Sequence, residues 1–132
     1  MNIKATHGAT RSLYGTIYLN TFMFYTPRID PMREATIEHE RVHIIRQGNW
    51  VQCTIWLLLY RFSKKFRIRE ESLALAKELR FLIDRKLQIN YSKFKSDLVY
   101  YYRDLFTDKQ AADIVFAVSQ CSSLFGVNWV TI

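Results

Sequence analysis

The chain is poor in several residues whose abundance would have settled its class. It has two prolines, four glycines and two cysteines in 132 residues. So few chain breakers, with no internal repeat and no low-complexity segment, leave no linker on which to divide the chain, and a single domain is expected over 1–132. Cys53 and Cys121 stand apart with no C-x-x-C spacing. That excludes a disulfide framework and points to a reducing compartment, with Cys53, inside an apolar run, read as a buried thiol. No secretory signal is recognisable, because Met1 to Arg11 is polar. The longest apolar run, Trp50 to Tyr60, is too short to cross a bilayer and contains Gln52 and Thr54. It reads as a buried helix, and Trp50, Trp56 and the basic residues that follow would also suit a membrane interface. Acidic residues are scarce too: 12 against 19 Lys and Arg, for a net charge of +7. The excess favours an acidic partner, whether nucleic acid, anionic membrane, cell-wall polymer or an acidic protein face.

What is present is enough for a core: 49% of residues are hydrophobic and 15% aromatic, and nothing in the composition indicates disorder. Residues 1–11 read as a loosely held arm carrying His7. Leu13 to Tyr25 has strand composition, as two short strands or one bent one, closed by Pro27. Asp30-Pro31 opens a helix predicted to run to Gln47, with Asp30 as cap, proline at the first position and Gly48 as stop. Its apolar residues fall on several sides, which predicts packing on more than one side. A second helix is predicted from Trp50 to Phe62 and a third from Arg69 to Lys86. Between them Arg61, Lys64, Lys65, Arg67 and Arg69 form the strongest charge feature, a polyanion contact or else a solvated helix end. On the third helix, 100° per residue places Glu71 at the edge of the apolar stripe, Glu78 on the same edge and Glu70 facing water. Further helices are expected over Tyr91 to Phe106 and from the Thr107–Gln110 capping box to Gln120. The end, Val127 to Ile132, has strand composition.

The chemistry centres on His39-Glu40-Arg41-Val42-His43. Two histidines four apart on a helix project from one face and can reach one metal ion. Glu40 lies at the edge of that face, where a carboxylate can serve as a general base. Only three histidines occur in the chain, and two are here. The alternative is a surface helix with two solvated histidines. The H-E-x-x-H pattern resembles the zinc site of zincin metallopeptidases. Asn49 stands where the metzincin branch has its third histidine, and no histidine follows His43. Glu71-Ser72-Leu73-Ala74, beginning 28 positions after His43, is similar to the E-x-x-A motif of gluzincins. More narrowly, Tyr14-Gly15-Thr16-Ile17-Tyr18, the His39–His43 turn, Gln47, Trp50, Tyr60, Arg67 and Glu71 together resemble the small zincin-like proteins of tailed bacteriophages.

The resemblance implies an α+β fold. It would be a mostly helical minimal zincin-like domain with a small N-terminal β element beside the motif helix, a metallopeptidase-like core over 12–90 and a helical C-terminal extension over 91–132. It implies that His39, His43 and Glu71 hold Zn2+, that Glu40 is the catalytic base, and that the substrate is a protein or peptide, with peptidoglycan cross-links a further possibility. A phage protein of this kind would sit in the host cytoplasm or the virion. There are departures. Leu75 stands where thermolysin-like enzymes have an aspartate that holds a ligand histidine. Arg46 stands where the phage proteins commonly have glutamine. No downstream histidine exists to stabilise an oxyanion, so Tyr60, one of Tyr100, Tyr101 and Tyr102, or an arginine would have to serve. A rival reading is a virion or assembly component that keeps the fold with the metal as a staple, or with none, contacting neighbouring virion proteins through Arg61–Arg69 and the aromatic last third. A nucleic-acid-binding helical protein is a third reading, without a recognised motif.

Overall fold

The structure is a computed structural model that describes residues 2–27, 30–102 and 105–132, excepting the Tyr101 side chain. The expected α+β class is what forms: three short strands followed by a chain of helices. Strands β1 (Asn2–Thr6), β2 (Arg11–Leu13) and β3 (Thr16–Asn20) make one sheet in the order β1-β3-β2. Helices α1 (Thr21–Phe24), α2 (Pro31–Gln47), α3 (Trp50–Phe62), α4 (Lys64–Asp84), α5 (Tyr91–Tyr101) and α6 (Asp108–Gln120) follow, then a 3-10 turn at Trp129–Thr131.

The N-terminal arm is the first correction. Asn2–Thr6 pairs parallel with β3 from Asn2↔Thr16 to Thr6↔Asn20. With only Ile3 and Ala5 apolar, its own composition says little, and the ladder to β3 holds it. β2 and β3 are joined by Tyr14 and Gly15, both at positive φ (47° and 77°). This is the two-residue turn whose twist suits a hairpin. Tyr14 bears the left-handed conformation because its ring stacks on Trp50 at 4.4 Å and its hydroxyl meets Thr54 Oγ1 at 3.0 Å.

α2 begins as its sequence predicts, with the Asp30 carboxylate accepting from the Met32 amide, and it ends at Gly48, φ 70°. It is packed on two sides. Ile37 and Ile44 face the sheet, against the fully buried Ile17 and Leu19. Val42 faces the main core with α4. α3 matches its predicted bounds and is opened by a capping box between Asn49 and Gln52. α4 starts earlier than expected, at Lys64, because the Ser63 hydroxyl accepts from Phe66 N and caps it. The basic segment is therefore the end of one helix and the first turns of the next.

The C-terminal third is not an appended layer. Leu98, Leu105, Ile114, Val118 and Trp129 share one continuous core with Val42, Leu73 and Leu79. The last segment does not join the sheet. Leu124 and Val127 form an isolated bridge, and Trp129 is fully buried with Nε1 donating to the Ser122 carbonyl at 2.6 Å. Cys53 is buried and Cys121 exposed, and neither is in a disulfide.

Candidate metal centre

α2 crosses α4 so that the inward face of one meets that of the other, and this brings together side chains 32 positions apart. His39 Nε2 lies 3.1 Å from Glu71 Oε2, and His43 Nε2 lies 3.1 Å from Glu71 Oε1. His39, His43 and Glu71 are all buried, and one ligand atom from each lies within 4.8 Å of the others. A tetrahedral ion bound at about 2.0–2.1 Å sets its ligand atoms roughly 3.3 Å apart. The two nitrogen–oxygen separations are close to that edge, and two imidazoles with one carboxylate are a donor set suited to a divalent transition ion.

The hydrogen-bonding of His39 gives a second test. Its Nδ1 lies 2.9 Å from Glu78 Oε2, so both ring nitrogens face carboxylate oxygens. A neutral imidazole has one N–H and one lone pair. The cluster therefore needs one more proton, which makes His39 an imidazolium when Glu71 stays ionised, or a cation between Nε2 and Glu71. Without an ion, burial disfavours the charged ring, but the bonds to Glu71 and Glu78 outweigh it and raise the His39 pKa well above its usual 6.5. Burial likewise opposes the Glu71 carboxylate, yet the His43 charge and the bonds to His39 and His43 hold it well below its usual range. The buried triad can hold a metal ion. His39, fixed by Glu78 at Nδ1, would present Nε2 in the tautomer a metal requires.

Glu78 answers the first departure noted from sequence. Leu75 cannot orient a histidine, and Glu78, two helical turns past Glu71 on the same edge, does so instead. The Arg46 departure is answered as well. Glu70, expected to face water, is only 1% exposed and receives both Arg46 Nε and Nη2 at 2.9 Å. The expectation failed because Glu70 to Ala76 are all buried. This part of α4 has no solvent face, so an acid there has to be paired. Gln47, one position on, is buried and donates from Nε2 to the Ser12 carbonyl at 2.8 Å.

Glu40 sits beside the triad. Its Oε2 accepts from the Ser12 hydroxyl, which also lies 3.2 Å from the Glu40 carbonyl. β2, pinned through Gln47, thus holds the carboxylate in orientation. Nothing in the sequence marked Ser12, which acts through a tertiary approach 28 positions away. Glu40, His43, Glu71, Ser12, Trp56 and Tyr60 line a cleft of about 240 Å3. Two larger hollows, about 370 and 610 Å3, lie around Gln110 and Phe125 and lack this cluster.

The remaining predicted residues divide. Tyr60 reaches the site: its hydroxyl donates to Glu71 Oε1 at 2.6 Å and its ring stacks on Trp56. Burial, then the Glu71 charge, push its pKa up, so it stays a protonated donor. Tyr102 is half-buried, and burial with the charges of Glu71 and Glu78 raises its pKa also. The Tyr101 side chain lies outside the described residues. His7 is exposed just past β1 and takes no part. Of the basic five, Arg61, Lys64 and Lys65 are exposed, whereas Arg67 and Arg69 are half-buried, Arg69 over the Phe66 ring and 3.6 Å from Glu70. Comparison with protein-family models, curated proteins and solved structures returns no match. The functional reading therefore rests on the site itself.

Proposed function

We propose that the chain is a zinc-dependent peptidase-type hydrolase, with His39, His43 and Glu71 as metal ligands and Glu40 as general base. The observation that carries this is the meeting of three buried ligand atoms with a separately oriented carboxylate in one cleft. Zinc in such a site supplies Lewis acidity and an acidified water. The protein's own part is position and proton transfer. Ser12 keeps Glu40 aimed across the cleft, and Glu40 takes a proton from the attacking water and delivers it to the leaving amine. Tyr60, whose hydroxyl burial and the Glu71 charge keep protonated, is a cleft-lining donor for negative charge developing on a substrate carbonyl. β2 is an edge strand of the sheet among the described residues, and Arg11, Ser12 and Leu13 line the cleft, which favours an extended polypeptide as substrate.

A second reading, an assembly component such as a phage virion protein in which the ion only ties α2 to α4, is favoured by one feature. The Tyr60 hydroxyl is committed to Glu71, so it can serve an oxyanion only after it turns. Metal content and peptide hydrolysis, measured on wild type, Glu71→Ala and Glu40→Ala, separate the two. The expected result is one zinc per chain in wild type and Glu40→Ala, less in Glu71→Ala, and hydrolysis in wild type alone. Zinc in all three proteins, or in none after reconstitution, would overturn the assigned ligands. Zinc without hydrolysis of any polypeptide would leave the staple.

A further inference from the structure

The net charge of this molecule comes from one stretch. Residues 41–69 contain seven Lys or Arg and no Asp or Glu, and the rest of the chain carries 12 of each sign. α3 lies in the middle of that stretch and is apolar on both sides. One side, with Cys53, Trp56 and Tyr60, is packed inward. On the other, Val51, Ile55, Leu58 and Phe62 recur at intervals of four, three and four, forming one stripe along the helix. These four side chains are 53–77% exposed, and none is covered by the rest of the fold. A continuous apolar stripe on a surface helix marks an interaction site. Arg61, Lys64 and Lys65 lie exposed at the end of the stripe, and no acidic side chain among the described residues pairs with any of the three. Trp50, 72% exposed, stands at its other end.

We propose that α3 is an interfacial docking helix for an anionic phospholipid surface. Lying in the plane of the membrane, it would bury Val51, Ile55, Leu58 and Phe62 among the acyl chains, with Trp50 and the three cations at headgroup level. A membrane fits both halves of the surface. Nucleic acid would meet the cations and leave the stripe in water. A second copy packed stripe to stripe would set against the three cations a helix that carries no Asp or Glu, and would leave them unpartnered. No helix among the described residues is long and apolar enough to cross the bilayer. The inner face of α3 lines the cleft through Trp56, Leu57 and Tyr60, so docking would hold the cleft close to the membrane plane. Docking requires neither the metal nor hydrolysis.

The test is co-sedimentation of the full chain with vesicles of phosphatidylcholine alone or mixed with phosphatidylglycerol, at physiological salt. Wild type is expected to sediment with the mixed vesicles and not with the neutral ones. Replacing three cations (Arg61→Gln, Lys64→Gln, Lys65→Gln) should weaken partitioning on the order of a hundredfold. Leu58→Ser with Phe62→Ser should weaken it at least about tenfold. Both substituted proteins should keep the far-ultraviolet circular dichroism of wild type, since all five positions are exposed. Three results would overturn the proposal: no sedimentation with anionic vesicles; binding indifferent to Leu58→Ser with Phe62→Ser, which marks contact by charge alone, as with nucleic acid; or a wild-type dimer that the same pair of substitutions dissociates.

Discussion

At the scale of the residue, the site depends on how three buried acids and the half-buried Glu78 are used. Glu71 faces two imidazoles, Glu78 holds one of them from behind, Glu70 neutralises Arg46, and Glu40 is held by a hydroxyl. Each has a partner, as buried carboxylates require. Removing the Glu78 carboxylate leaves the ligands in place but frees the His39 ring. Glu78→Ala is expected to weaken zinc affinity by about 10–100-fold, read by competition with a chelator, with the fold retained because Glu78 is at the edge of the core. The titration of the metal-free protein follows from the same contacts. His39 binds its proton more tightly folded than unfolded, so its contribution is complete below the unfolded value of 6.5 and is lost as pH rises through the raised folded value. Glu71, with a depressed folded pKa, contributes above its unfolded value and loses that contribution as pH falls through the folded one. Urea midpoints of the metal-free chain should therefore decline on the alkaline side of neutrality as well as in strong acid. The sequence marks His39, Glu40, His43 and Glu71 through spacing and helix face. It does not mark the jobs of Ser12 and Glu78, because orientation by a neighbour is a property of how two elements meet.

Elements are where the sequence speaks most clearly, since caps and stops are local. Asp30, Pro31 and Gly48 bound α2, and Thr107 with Gln110 opens α6, where the capping box forms as predicted. Where burial was inferred from one helix alone, it failed for Glu70: a helical wheel assumes one wet face, and α4 has none between Glu70 and Ala76. The bond from Arg46 to Glu70 ties α2 to α4 one turn from the ligands. Arg46→Ala leaves the buried Glu70 carboxylate with Arg69, 3.6 Å away, as its remaining cation, and is expected to cost about 3 kcal/mol, the low end for a broken buried pair. Adding Glu70→Gln should recover part of it. Denaturant unfolding of the single and double variants measures both.

Across the whole molecule, the two ends of the chain brace the central pair α2 and α4. The N-terminal hairpin reaches α2 through Ser12 and Gln47. The C-terminal turn is fixed by Trp129 in the core, by Lys77 Nζ to the Val130 carbonyl at 2.9 Å and by Arg41 Nη2 to the Ile132 carbonyl at 3.4 Å. Strand composition in Val127–Ile132 pointed elsewhere because β-branched and aromatic residues fit any half-buried surface, and here that surface is the main core, which Trp129 enters. Trp129→Ala should destabilise the protein by about 3–5 kcal/mol, read as a lower melting temperature and denaturant midpoint. The buried tail has a further consequence for how the molecule opens. Local fluctuations that expose a helix amide are cheap only where few other elements must move. Because the Trp129 side chain is wedged into the core that α2 and α4 share, the innermost amides of both helices and those of the terminal turn should have no separate route to solvent. In native-state hydrogen exchange they should fall into one slow class, leaving with a single free energy, while α1 and the outward amides of α5 exchange earlier.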